Sequence, residues 1–333
     1  MRAYSISKYS KADRMKLVEL PIPGIKDNEV LVEIYAAGVN QLDSRIKEGA
    51  FKLILPYKLP LVLGHDVAGV VTKVGSRVTK FKVDDEVYSR PADFHIGAFA
   101  QYIAINEKDV ALKPKNIGFE EAASLPLVAL TAWQALVERA NLQKDQKVFI
   151  QAGSGGVGTI AIQLARHLGA KIATTAGTAN LGLVKNLGAE VVVDYKKEDF
   201  EAVLEGYDLV LNSQDQKTLE KSLNVLRPGG KVVSISGPPT PAFAHEFNLP
   251  WYLKIATRLL SSKIRAKAKK LDVDFSFLFM TASGNQLEKI TKLVENGTIR
   301  PVVDKVFPFD QTNEALDYVG SGRAKGKAVI GIK

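Results

Sequence analysis

Gln151-Ala-Gly-Ser-Gly-Gly-Val-Gly158 is entered by the apolar run Lys147-Val-Phe-Ile150 and left by Thr159-Ile-Ala-Ile-Gln-Leu-Ala-Arg-His-Leu168. The stretch reads as strand, tight glycine turn and helix. Gly153, Gly155 and Gly158 fit G-x-G-x-x-G in the context that this motif requires. The first glycine permits the sharp turn, the second lets backbone approach a pyrophosphate, and the third lets the helix pack closely on the strand. Amides opening the helix, assisted by its dipole, then face an anion. The competing reading is a plain strand–helix turn that happens to be rich in glycine; the flanking pattern argues against it.

Downstream the alternation continues. Lys171-Ile-Ala-Thr-Thr-Ala176 reads as a strand, Asn180 to Leu187 as a helix ended by Gly188, and Glu190-Val-Val-Val-Asp194, Tyr207-Asp-Leu-Val-Leu211 and Gly230 to Ser236 as further strands. Strands alternating with helices predict a doubly wound parallel sheet with right-handed crossovers. Upstream, Phe119 to Leu125 and Leu130 to Ala140 recur at helical spacing. Before about residue 118 the chain is β-rich. Met15 to Leu20, Glu29 to Ala36, Asp66 to Val74, Glu86 to Ser89 and Ala98 to Ile105 are strand-length pieces punctuated by Pro, Gly, Asn and Asp, which suggests a small barrel-like domain. Asp43 reads as a helix cap on the way into Ser44-Arg-Ile-Lys47. In the tail, Phe277-Leu-Phe-Met280 reads as a last buried strand, Gln286 to Glu295 and Thr312 to Val319 as helices, Arg300 to Val306 as extended, and Ala328 to Ile332 as a closing strand.

The 333 residues are enough for two domains, or one domain with a large lobe. At 46% hydrophobic and 24% charged, the composition is that of a globular protein with a full core. The absence of cysteine excludes disulfides, thiolate zinc sites and a cysteine nucleophile, and fits a cytoplasmic location. Met1-Arg-Ala-Tyr-Ser-Ile6 lacks the apolar core of a signal peptide and reads as a first strand. No apolar stretch approaches the ~18 residues that span a bilayer. The net charge of +9 is read as a lysine-rich, soluble surface. One segment concentrates it: Trp251 to Lys270 carries Lys254, Arg258, Lys263, Arg265, Lys267, Lys269 and Lys270 without one acid. Such a segment can lie on a membrane or meet nucleic acid, but the favoured reading is a solvated helical excursion over the sheet edge. No membrane partner is expected, and nucleic acid is not the expected ligand.

An acid about 20 residues after the glycines usually bonds the ribose 2′-hydroxyl of NAD. Here that place is Thr174-Thr-Ala-Gly-Thr-Ala179, small and neutral, which removes the repulsion against a 2′-phosphate and favours NADPH.

Motifs along nearly the whole chain then resemble those of the zinc-independent medium-chain dehydrogenase/reductases of the quinone oxidoreductase type. They are Ala37-Gly-Val-Asn-Gln-Leu-Asp43, Gly64-His-Asp-Val-Ala-Gly-Val-Val71, Phe99-Ala-Gln-Tyr102, Leu130-Thr-Ala-Trp133, Ala152 to Gly158, Leu187 to Tyr195, Arg227-Pro-Gly-Gly230 and Gly322-Arg-Ala-Lys-Gly-Lys327. Gly49-Ala-Phe-Lys52, Phe277 to Met280 and Gly297 to Asp304 resemble the enone and alkenal reductase branch. The resemblance implies an α/β protein with a GroES-like catalytic domain from residues 1–120 and 284–333, and a Rossmann domain from 121–283. It implies NADPH in an interdomain cleft, and a homodimer or homotetramer. Gly153, Ser154, Gly155, Gly156, Val157 and Gly158 would hold the pyrophosphate; Thr175, Gly177, Thr178 and Tyr195 would surround the 2′-phosphate. Asn40, Thr131, Ser236, Leu278, Phe279 and Arg323 would flank the rest of the cofactor, with Arg45, standing where the branch usually has Lys, at a ribose. Zinc-dependent relatives have Cys where this chain has Asn40 and Gly-His-Glu where it has Gly64-His65-Asp66, so His65 is read as a structural cleft residue and no metal is expected.

Without a metal to polarise a carbonyl, alcohol oxidation is the wrong expectation. A conjugated carbonyl needs less help: hydride goes to the β-carbon, and the enolate needs only hydrogen-bond donors and later a proton. The expected reaction is NADPH-dependent reduction of the C=C bond of an enone or enal, or of a quinone. Tyr57, Asn40 and Lys52 are the expected catalytic donors, with Tyr57 equally readable as a loop anchor. The alternative is a non-catalytic dinucleotide-binding sensor, or a nucleic-acid binder using residues 254–270.

Overall fold

In the computed structural model, which describes all 333 residues, alternating apolar residues in the N-terminal part fold as strands. These are β1 (Arg2–Ile6), β2 (Lys16–Glu19), β3 (Glu29–Val39), β4 (Leu61–Val62), β5 (Asp66–Val74), β6 (Glu86–Ser89), β7 (Tyr102–Asn106) and β8 (Val110–Leu112). Helix α1 (Gln41–Lys47) follows β3; α2 (Phe119–Ala123) and α3 (Pro126–Trp133) follow β8. Residues 98–101, expected to open a strand running to Ile105, cross to β1 instead. Tyr4 N donates to Phe99 O at 2.8 Å and Gln101 N to Arg2 O at 3.1 Å, and the ladder to β3 begins only at Tyr102. Past Trp133 the helix widens into a π-helical stretch, Gln134–Arg139, after which Ala140 N donates to Ala135 O at 3.0 Å.

Next come β9 (Lys147–Ile150), α4 (Gly156–His167), β10 (Lys171–Ala176), α5 (Leu181–Leu187), β11 (Val191–Asp194) and β12 (Tyr207–Asn212). They are followed by α6 (Gln216–Ser222), β13 (Leu226–Ser234), α7 (Pro241–Glu246), α8 (Trp251–Leu260), α9 (Ser262–Lys270) and β14 (Asp274–Phe277). The six strands pair in the order β11-β10-β9-β12-β13-β14, every pair parallel. Strand order reverses between β9 and β12, which puts the glycine turn after β9 at the topological switch point. Phe149, Val210 and Val232 pack with Phe200, Tyr207 and Leu223, and with Ile264 and Ala268 of α9. Burying each large apolar side chain contributes about 1.5–3 kcal/mol. The last strand is Asp274–Phe277 rather than Phe277 to Met280, because its partner β13 ends at Ser234, opposite Phe277. Phe279 leaves the sheet and packs on Phe243 and Phe247.

The tail adds α10 (Gly284–Glu295), β15 (Val303–Pro308), α11 (Thr312–Gly320) and β16 (Lys327–Gly331). It completes a seven-stranded sheet ordered β15-β16-β3-β5-β6-β8, with β7 also on β3, beside a three-stranded sheet β2-β1-β4. β16 runs antiparallel to β3 from Ala328 opposite Val39 to Gly331 opposite Ala36. The architecture is a GroES-like unit and a Rossmann unit, Met1–Leu130 with Thr281–Lys333, and Thr131–Met280. Residues 121–130 thus group with the first unit. There, Leu127 N donates to Asp66 Oδ1 at 2.7 Å, and the Ala123 carbonyl fills the space beside Gly38. No helix is long and apolar enough to cross a membrane.

Candidate active site

The glycine turn is as tight as its sequence demands. A Cβ on Gly158 would lie 2.3 Å from Ala152 O, and one on Gly153 would lie 2.2 Å from Thr174 Oγ1. Neither position has room for a side chain. The turn is held from outside: Ala152 N donates to Thr175 Oγ1 at 3.0 Å and Gly153 N to Thr175 O at 2.9 Å. Gly155 caps α4 without any side chain serving its first amides, and the first turn carries no acid. The start of this twelve-residue helix is therefore left open to an anion. Beneath the turn, buried polar groups lock the strand ends together. Asn212 Nδ2 donates to Gln151 Oε1 at 2.6 Å, Ser234 Oγ donates to Asn212 Oδ1 at 2.7 Å, and Gln151 Nε2 donates to Ser222 Oγ.

A cleft of about 590 Å³ adjoins the turn, lined by Gln151, Ala152, Thr175, Tyr195 and Gln214, by four lysines (Lys196, Lys197, Lys217 and Lys221), and by Glu198 and Asp199. Lys221 is committed to Asp199 and Glu201. The Tyr195 hydroxyl and the Lys196 Cε stand 3.1 and 3.6 Å from where a Gly177 Cβ would be. The Thr178 hydroxyl donates to Asp194 Oδ2 at 2.6 Å, and that bond, with the Lys196 amide, holds the Asp194 carboxyl below the usual range. Two features thus separate from the sequence reading: the Thr178 proton is already given to Asp194, and the cations at this end are lysines beyond β11. The reading of Thr174 to Ala179 did not include these lysines; their signal is Tyr195-Lys-Lys197, one strand further on. Ser236 is exposed, and its hydroxyl donates to Gln214 O at 2.6 Å. Thr131 and Leu278 are buried, at 4% and 5% exposure.

In the GroES-like unit the sequence-predicted residues divide. Asn40, not Asp43, caps α1; Asp43 sits at the third helical position, and Asn40 N donates to its Oδ2 at 2.8 Å. The other Asp43 oxygen lies 2.6 Å from His65 Nδ1, both side chains wholly buried, and His65 Nε2 has no partner. Asn40 Nδ2 donates to Asp66 Oδ2 at 2.9 Å. The Lys327 ammonium then closes the group, donating to Asn40 Oδ1 at 2.5 Å and Asp66 Oδ2 at 3.0 Å. Asn40 is thus clamped between a buried cation and a buried anion. No group of three or more His, Asp or Glu side chains gathers as metal ligands. Tyr57 is buried, its ring 5.2 Å from that of Phe94 and its hydroxyl unpartnered; burial pushes that hydroxyl well above the usual phenol range. Arg45, Lys52 and Arg323 are exposed and lie outside the Asn40 group.

A GroES-like sheet and a Rossmann sheet with an open pyrophosphate turn define a medium-chain dehydrogenase/reductase. The comparisons agree. Residues 26–115 match the alcohol dehydrogenase GroES-like domain, and residues 187–330 match the zinc-binding dehydrogenase family. The chain is 38% identical to 2-methylene-furan-3-one reductase of Solanum lycopersicum, over 99% of this chain and 79% of that protein. It is 36% identical to the chloroplastic NADPH-dependent alkenal/one oxidoreductase of Arabidopsis thaliana, with the same two coverages. Among solved structures, the quinone oxidoreductase of Coxiella burnetii superposes with a TM-score of 0.87 at 27% identity, covering 100% of this chain and 99% of that one. The chain belongs to the medium-chain dehydrogenase/reductase family, in its quinone oxidoreductase group.

Proposed function

We propose that this protein is an NADPH-dependent oxidoreductase that reduces the C=C bond of an enone or enal, or a quinone. The carrying observation is the start of α4, uncapped and free of acids, set at the switch point between close-packed glycines and a lysine-lined cleft. That arrangement fits the diphosphate and 2′-phosphate of NADPH, with Gly153 to Gly158 at the former and Thr175, Gly177, Tyr195 and Lys196 at the latter. When bound, NADPH supplies the hydride for the β-carbon. On the resemblance, Asn40, Arg45, Thr131, Leu278, Phe279 and Arg323 meet its nicotinamide half.

The chain's own residues then act on the developing enolate oxygen. Tyr57 remains protonated throughout the working pH range, so its unpartnered hydroxyl is a persistent hydrogen-bond donor. Asn40 is fixed in one rotamer by Lys327 and Asp66. Lys52 is a solvent-exposed candidate donor in the turn of residues 51–54. Cytoplasmic location, and a homodimer or homotetramer, complete this reading.

The test is a panel of 2-alkenals, enones and quinones with NADPH and NADH. Turnover with NADPH preferred is expected. No turnover of any acceptor would remove the enzymatic reading in favour of a dinucleotide-binding sensor, and a lower KM for NADH would overturn the 2′-phosphate assignment.

A further inference from the structure

Helix α8 is amphipathic, yet it is mounted inside out. Its buried positions are small and polar: Thr257 is 4% exposed, and Ser261, which caps its C-terminus, is fully buried. Five of its six large apolar residues face away from the protein, Leu253 alone being half-buried. Trp251 is 73% exposed, Ile255 52% and Leu259 68%, and Tyr252 and Leu260 are also exposed. Trp251, Ile255 and Leu259 recur every four residues and so form one stripe, with Tyr252 beside it and Arg258 on the same arc. Helix α9 is the contrast: it turns Ile264 and Ala268 into the Rossmann core and leaves its lysines outside. A helix that exposes five large apolar residues while burying a threonine is shaped for something outside this chain.

The charges decide what that is. From Trp251 to Lys270 there are seven cations and no acid. Of these, Lys263 pairs with Glu220, Lys267 donates to Glu220 O, and Arg265 donates to Arg258 O, closing the joint between the two helices. Arg258, Lys269 and Lys270 are exposed and left to face solvent or a ligand, and Lys254 is half-buried. A second copy meeting this stripe about a two-fold axis would set the cations against themselves. Single-stranded nucleic acid would use the cations and an aromatic, but it has no use for Ile255, Leu259 and Leu260. An interfacial helix on anionic lipid uses both, with the aliphatic residues and Trp251 in the acyl boundary and the cations at the headgroups.

We propose that α8, with the cations of α9, attaches the protein peripherally to an anionic lipid surface. This revises the expectation of no membrane partner: the helix lies on the bilayer and does not cross it. Attachment places the Rossmann unit at the surface where apolar quinones and alkenals partition, but the inference does not depend on the acceptor.

Sedimentation with vesicles of phosphatidylcholine containing about 30% phosphatidylglycerol tests it, using the full chain. Binding is expected to these vesicles and not to pure phosphatidylcholine, with a fall of about tenfold or more in about 0.5 M salt. The Trp251→Ser/Ile255→Ser/Leu259→Ser variant should lose binding by about tenfold or more, and Lys269→Ser/Lys270→Ser by a smaller factor. Unchanged NADPH binding and melting temperature in the same variants show that the Rossmann unit is intact. No binding of the wild type to either vesicle overturns the proposal. So does a stripe variant that binds as well as wild type. Loss of an oligomer in the stripe variant without vesicle binding, or retention of poly(U) without vesicle binding, overturns it in favour of a second copy or of nucleic acid.

Discussion

Replacing Lys327 by Met tests the buried clamp on Asn40 most directly. The Lys327 side chain is 6% exposed and that of Asp66 is wholly buried. Methionine keeps most of the stem and removes two hydrogen bonds, one of 2.5 Å to Asn40 Oδ1 and one of 3.0 Å to Asp66 Oδ2. Asp66 keeps the Asn40 amide and the Leu127 amide but loses its only ammonium partner. Removing one member of a buried ion pair costs about 3–5 kcal/mol, because the remaining charge stays buried and uncompensated. At about 1.4 kcal/mol per tenfold, amides of β3 and β16 that exchange by opening of this unit should speed up by roughly two to three and a half powers of ten. Hydrogen exchange is the right assay, since both tryptophans, Trp133 and Trp251, lie in the other unit and fluorescence would follow the wrong part of the chain. Asp66→Asn in the Lys327→Met background should restore a large share of the protection, as the charge left behind is then gone. Exchange in Lys327→Met within about threefold of wild type, or a double variant worse than the single one, would refute the argument.

Gly158→Ala places a Cβ 2.3 Å from Ala152 O, so NADPH affinity by fluorescence titration should fall by about tenfold or more; an unchanged Kd would show that the turn has slack. Lys196→Ala should raise KM for NADPH by roughly tenfold to a hundredfold while leaving that for NADH in place, and equal effects on both would remove Lys196 from the 2′-phosphate. Burial raises the pKa of Tyr57 and of Tyr88 in the folded state, so the stability they lend is complete below about pH 10 and is lost as pH rises through their folded values. Urea midpoints should therefore drop as pH rises above about 10, less steeply in Tyr57→Phe/Tyr88→Phe; identical slopes in variant and wild type would contradict the assignment.

The Rossmann half was legible because its signals are local. A strand, three glycines and a helix lie within about twenty consecutive residues, and small residues occupy the place where an NAD-binding acid would stand. The Asn40 clamp was not legible for the opposite reason. Its members are Asn40, Asp66 and Lys327, and the closing contact joins residues 287 apart, so only the pairing of β16 with β3 brings them together. In the sequence Lys327 stands out only as part of the motif Gly322-Arg-Ala-Lys-Gly-Lys327. Helix α8 shows a third kind of limit. Periodicity reveals that Trp251, Ile255 and Leu259 share a face, but not whether that face points inward, because direction depends on what the neighbouring Thr257 and Ser261 pack against. The displaced strand at residues 274–277 has a similar cause: Phe277 to Met280 is apolar enough for a strand, and the end of β13 sets where pairing stops.

The order in which the chain is made gives the Asn40 clamp a further meaning. The Rossmann unit is one continuous segment, Thr131–Met280, whose six strands pair only with one another, whereas β3 must wait for β16. During synthesis the earlier strands of the GroES-like unit therefore emerge with a free edge on β3 and with Asp66 lacking its cation, and remain so while the whole second unit is produced. The second unit can close its core in that interval. The N-terminal sheet is finished only when Lys327 arrives, so the ammonium that holds Asn40 also marks the moment at which the first unit becomes fully ordered.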